Sequence, residues 1–137
     1  MQVRSSNSAG ARFLDREEVL RSLRLLSEQL LRDNLEAQGV ALFGSLARGN
    51  YNLRSDADIL VCLRSAPEAK VADRIPPLLA AFLYAPVPVD ILPLTASEIC
   101  RRLKEPSPFW SRIWREAILL AGTLPSCPES FAQGAPP

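Results

Sequence analysis

Behind Asp15, apolar residues recur at helical spacing (Val19, Leu23, Leu26, Leu30) while Arg21, Arg24, Glu28 and Arg32 interleave, which predicts a long amphipathic helix stopped by Gly39. Val40-Ala41-Leu42-Phe43 is then a continuous apolar run that ends at Gly44. It predicts a buried strand that turns sharply at Ser45 into a brief helical turn, Leu46-Ala47-Arg48. Gly49 to Asn52 carries turn chemistry. Asp56 to Leu63 is apolar on both faces beyond its acidic start, so this second strand needs helices over both sides of its sheet.

Pro76-Pro77 cannot lie deep inside a helix, and the pattern predicts a helix start there, running to about Tyr84. Val87 to Leu92 reads as a third strand, and Pro88 marks it as an edge. Thr95 with Glu98 forms a capping-box pattern for a short helix to about Lys104. Ser107-Pro108 opens a last helix with the stripe Trp110, Ile113, Trp114, Ala117, Ile118 and Ala121, ending at Gly122. The fold class that follows is α/β (or α+β), a small mixed β-sheet with flanking helices over residues 13–122. Residues 1–12 and the Pro-rich 123–137 lack apolar periodicity and are expected to be disordered tails.

Composition narrows the chemistry. The 137 residues suit one domain, and 16 Lys plus Arg against 15 Asp plus Glu leave a net charge of +1. There is no broad basic field, so no direct nucleic-acid binding is expected. The chain has no His, which excludes imidazole bases, Ser-His-Asp systems and His-containing zinc sites. Cys62, Cys100 and Cys127 are an odd set without a C-x-x-C pair; they predict neither a disulfide framework nor a metal clip, and suggest a reducing compartment. With no apolar run of membrane length, the expected location is cytoplasmic, away from membranes. The Trp110 stripe reads as core, Cys62 as a small buried hydrophobe, and Cys100 as an inert helix residue. Arg101, Arg102, Lys104 and Arg112 read as a solvated face.

Three acids break the apolar strands, where an unpartnered charge is expensive to bury. Asp56 and Asp58 leave the same face of the second strand, and Asp90 enters the third. If those strands are neighbours, three carboxylates converge, and a divalent cation would offset their repulsion. Pro86 and Pro88 just ahead of Asp90 leave its alignment open. Oxygen-only ligands suit Mg²⁺ or Mn²⁺. Upstream, Gly44 lets the backbone approach an anion, Ser45 can add a hydrogen bond at a helix start, and Arg48 can add a positive charge toward a polyphosphate.

The string FGSLARGNYNLRSDADILVCL, with Gly44-Ser45, ten residues, then Asp56-x-Asp58, resembles the signature of the DNA polymerase beta nucleotidyltransferase superfamily. Ser45 to Gly49 and the closing PFWSRIWREAILLAG most resemble its minimal nucleotidyltransferase branch. The resemblance implies the polymerase-beta-type fold. It implies metal and catalytic roles for Asp56, Asp58 and Asp90, and nucleotide contacts for Gly44, Ser45 and Arg48. It further implies two Mg²⁺ ions, ATP as substrate, and transfer of AMP to a Tyr hydroxyl of a HEPN-domain toxin that the protein neutralises as antitoxin. Two other functions stay open: a catalytically silent antitoxin that acts by contact, and transfer to a small alcohol of the aminoglycoside type. The short chain offers little acceptor surface, so a homo- or hetero-oligomer is expected.

Overall fold

The computed structural model describes residues 15–51, 55–105 and 107–127. Helix α1 (Arg16–Asp33) starts where the Asp15 carboxylate accepts the Glu18 N–H at 3.3 Å, with Glu17 and Glu18 at the positive end of the helix dipole. It ends at Asp33 rather than at Gly39. Asn34 turns extended and returns its N–H to the Leu30 carbonyl at 2.9 Å, which frees the chain to enter β1 (Ala37–Phe43). Gly39 therefore lies inside a strand, and the reason is a close approach: a β-carbon there would collide with the backbone carbonyl of Thr123.

After a five-residue helix α2 (Gly44–Arg48), strand β2 (Ala57–Leu63) returns antiparallel to β1. Helix α3 (Val71–Leu79) and a 3₁₀ turn (Ala80–Phe82) lead to β3 (Val89–Thr95), which pairs parallel with β2. The sheet is mixed, as the pattern predicts, and β3 is an edge. Helix α3 begins five residues ahead of the expected start and carries Pro76 and Pro77 inside it. Both prolines are exposed, and the tight 3₁₀ turn follows them within a few residues.

Helix α4 (Ala96–Lys104) opens with the predicted capping box: Glu98 N–H to Thr95 Oγ1 at 3.2 Å and Thr95 N–H to Glu98 Oε1 at 2.9 Å. Helix α5 (Pro108–Glu116) opens on Ser107, whose hydroxyl accepts from Trp110 N–H, with Pro108 at its first position. The helix stops at Glu116, short of Gly122. Ala117 turns extended and Ile118–Gly122 forms β4, antiparallel to β1 on its free side. The sheet order is β3-β2-β1-β4.

The strands alternate two apolar faces. Leu42, Ile59 and Val61 meet Val19 and Leu23 of α1 and Leu78 of α3. Ala41, Leu60 and Cys62 meet Ile99 and Leu103 of α4 and Trp110 and Ile113 of α5. Burial pushes the Cys62 thiol up to about 11, so this cysteine is the inert hydrophobe the sequence predicts. Across the end of β3, Arg74 of α3, only 4% exposed, donates to Glu98 of α4 at 2.7 and 3.0 Å and to the Pro93 carbonyl at 3.1 Å. That fork holds the Glu98 carboxyl down to about 2.

Cys100 and Cys127 form a disulfide, contrary to the expectation from their odd count and wide spacing. The expected tail boundary moves with it: Thr123 donates to the Gln38 carbonyl at 3.1 Å, and Leu124 and Cys127 pack on the second cluster. The rest of that expected tail, the expected tail at 1–12, and Asn52 of the predicted turn lie outside the described residues. Among the described residues, no helix is long and apolar enough to cross a membrane.

Candidate active site

The strand-to-helix junction is built around Gly44. Its φ of 81° lies in the left-handed region, and a β-carbon there would collide with the Asp58 carboxylate. Only glycine lets β1 turn into α2 while its backbone touches that acid. No side chain caps the start of α2, where Ser45 stands half-buried in the first turn. A five-residue helix cannot hold itself together. Gly49, at φ 84°, closes it by returning its N–H to the Ser45 carbonyl, which also accepts from Asn50 at 3.0 Å. From α1, Arg16 grips the same end, donating to the last-turn carbonyls of Leu46 and Ala47 at 2.9 and 3.0 Å.

The acids meet at the same end of the sheet. Asp58 is the register partner of Phe43 on β1 and of Asp90 on β3. The alignment that Pro86 and Pro88 left open is therefore in register, and Asp58 and Asp90 leave the same face, as partners on neighbouring parallel strands do. Asp56 sits one residue ahead of β2 and is exposed. Burial raises the Asp58 pKa from its ordinary value, the negative charges of Asp90 and Asp56 raise it further, and Arg48 lowers it.

Arg48, at the last position of α2, pairs with Glu116 at the end of α5, Nη1 to Oε1 at 3.5 Å. Arg112, one turn back on α5, places its Nε 3.8 Å from the same oxygen. Thus the structure gathers Gly44, Ser45, Asp58 and Asp90 at the C-terminal end of β1 and the starts of β2 and β3, with Asp56 beside them and Arg48 at the rim. Sequence reasoning missed Arg16 and Glu116. Arg16 carries no local signal for contacts 30 residues away; the Arg112–Glu116 spacing was readable, but the partner on α2 was not.

The donor chemistry suits a hard divalent cation: carboxylate oxygens, no imidazole and no accessible thiolate nearby. The charge that Asp56 and Asp90 impose on Asp58 is the charge such an ion would balance. Among the described residues, no three His, Cys, Asp or Glu side chains stand as a group ready to hold a metal, so coordination requires the carboxylates to turn inward.

The chain is similar to several known proteins. A candidate nucleotidyltransferase from Sulfolobus solfataricus superposes with a TM-score of 0.55 at 25% identity, covering 76% of this chain and 80% of that one. A toxin–antitoxin structure solved with AMP-PNP gives a TM-score of 0.44 at 23% identity over 80% of this chain and 75% of that one. In sequence, a candidate protein adenylyltransferase of Methanocaldococcus jannaschii is 34% identical over 58 residues, 42% of this chain. The matched stretch spans 57% of that relative's length. The family model described as Nucleotidyltransferase domain matches residues 23–117, more than half of the chain and every residue of the junction and acid cluster. The chain belongs to the nucleotidyltransferase domain family.

Proposed function

We propose that the protein is a Mg²⁺-dependent nucleotidyltransferase that moves AMP from ATP onto a hydroxyl, in the first instance a Tyr hydroxyl, of a partner HEPN-type toxin, and so acts as its cytoplasmic antitoxin. The observation that carries the reading is the register pairing of Asp58 with Asp90 directly beside the bare backbone of Gly44. The relative described as a candidate protein adenylyltransferase supports a protein acceptor, and the resemblance of Ser45 to Gly49 to the minimal branch supports a toxin partner.

In this mechanism Gly44 and Ser45 offer backbone and hydroxyl donors to the phosphates at the start of α2, and Arg48 supplies a cation at their rim. Asp56, Asp58 and Asp90 are the residues that would hold Mg²⁺. When bound, the metal supplies charge stabilisation for the attacking and leaving oxygens. The acceptor oxygen forms a bond to the α-phosphorus, the bond from that phosphorus to the bridging oxygen breaks, and pyrophosphate departs. Asp90 lies on the open edge strand and takes the acceptor's proton.

The test is transfer of label from α-³²P-ATP, with Mg²⁺, onto a co-expressed genomic neighbour, comparing the intact protein with an Asp56→Asn, Asp58→Asn variant. Label on the neighbour that vanishes in the variant supports the proposal. A neighbour that is bound and silenced with no label from either protein overturns it and leaves an antitoxin acting by contact.

A further inference from the structure

Arg48 has two sources of negative charge within reach. The aspartates lie on one side, and Arg48 lowers the pKa of Asp58 through space. On the other side stands Glu116, and among the described residues this is the carboxylate with which Arg48 forms its ion pair, at 3.5 Å. Asp58 is the carboxylate among these that Arg48 acts on through space, so a guanidinium released from Glu116 is free to turn toward Asp58 and its register partner Asp90. Both side chains of the Arg48–Glu116 pair are about 30% exposed, so solvent screens the pair only in part. The two residues come from α2 and α5, elements far apart in sequence that otherwise carry no polar link among the described residues.

We infer that Glu116 is a positioning residue: from the end of α5 it holds the Arg48 guanidinium at the rim, leaving Asp58 and Asp90 open to a divalent cation and the guanidinium turned toward nucleotide phosphates. The inference rests on the nucleotidyl-transfer reading and adds to it a residue outside the Gly44-Ser45 and Asp56-x-Asp58 strings. Arg112 completes the device. With its Nε 3.8 Å from the same Glu116 oxygen, it keeps that carboxylate partnered when Arg48 moves onto a phosphate, so the exchange strands no charge.

The experiment is a double-mutant cycle with Arg48→Met and Glu116→Gln on the whole chain, read first as Mn²⁺ affinity by electron paramagnetic resonance and then as Mg²⁺-ATP affinity by calorimetry. Glu116→Gln is near-isosteric and is checked for an unchanged melting profile. In the Arg48 background it weakens Mn²⁺ binding about fivefold, because the released guanidinium occupies the carboxylates. In the Arg48→Met background the same change has less than about a twofold effect. An equal loss in both backgrounds makes Glu116 a simple surface charge and overturns the inference, as does no loss in either. Those results with intact Mg²⁺-ATP binding leave the proposed function standing; a native protein that binds neither Mn²⁺ nor Mg²⁺-ATP removes both.

Discussion

The bare backbone of Gly44 lies against the carboxylate of Asp58, close enough that no side chain fits between them. Gly44→Ala therefore has to turn the Asp58 carboxylate out of its place at the junction while also holding a left-handed φ that L-residues avoid. The expected result is a loss of about 2 kcal/mol or more in chemical denaturation, together with loss of AMP transfer. A Gly44→Ala protein that keeps native stability and transfer would show that the close approach is dispensable.

Asp58 gives a pH dependence of unusual sign. Its pKa is raised in the folded protein by burial first and by Asp90 and Asp56 next, so folding works against its ionised form. That cost is fully present above the folded pKa and disappears as pH falls below the ordinary value of 3.8. In metal-free buffer at neutral pH, Asp58→Asn is thus expected to melt higher than the native protein, while losing transfer. The stabilisation shrinks as the pH is lowered toward 4.

Glu98 behaves in the opposite way. Arg74 holds its carboxyl down to about 2 from 4.5, so the stability it contributes is complete above pH 4.5 and is lost as pH falls toward 2. The contribution is about 3 kcal/mol at neutral pH. Arg74→Met leaves a partly buried carboxylate unpaired and costs a similar amount, about 3 kcal/mol. Urea midpoints measured from pH 6 down to pH 2 should show the native protein losing this increment and the variant losing only the smaller part that the Thr95 N–H still supplies.

The Cys100–Cys127 disulfide closes a loop of 27 residues around α5 and β4. Loop-closure entropy assigns such a bridge about 3 to 4 kcal/mol. A dithiol reductant, or the Cys100→Ser, Cys127→Ser pair, should lower the denaturation midpoint accordingly and expose Leu124 and the Trp110 cluster to solvent, read as a change in tryptophan emission.

Arg16 offers the mildest test. Arg16→Met removes both donors to the Leu46 and Ala47 carbonyls but keeps helical propensity in α1. Stability is expected to fall by about 1 to 2 kcal/mol. Hydrogen exchange should quicken at Gly49 and Asn50, whose N–H groups close α2 onto the Ser45 carbonyl.

What the sequence disclosed follows the range of each interaction. Asp15, Thr95 with Glu98, and Ser107-Pro108 act within one helical turn, and each begins a helix where the pattern places it. The spacing from Gly44 to Asp58 was legible for a related reason: one hairpin brings the two together. Ile118 to Gly122 continued the helical stripe of α5 in sequence, yet the open side of β1 claims it as a strand, a tertiary preference no local pattern carries. The same holds for Arg74 reaching Glu98 across 24 residues, for Arg48 finding Glu116, and for the disulfide, whose partners are joined only by how the chain folds back over α4.

The edge of the sheet beside Asp90 has a consequence for how other molecules approach it. Among the described residues β3 pairs with no further strand; Pro93 within it is fully buried with its carbonyl taken by Arg74, and Pro88 ahead of it has no backbone donor. A visiting strand would meet a ladder that is covered at one position and lacks a donor at the other, which works against extending the sheet there. Asp90, at the start of that strand, stays exposed, so a single projecting side chain can meet it without adding to the sheet.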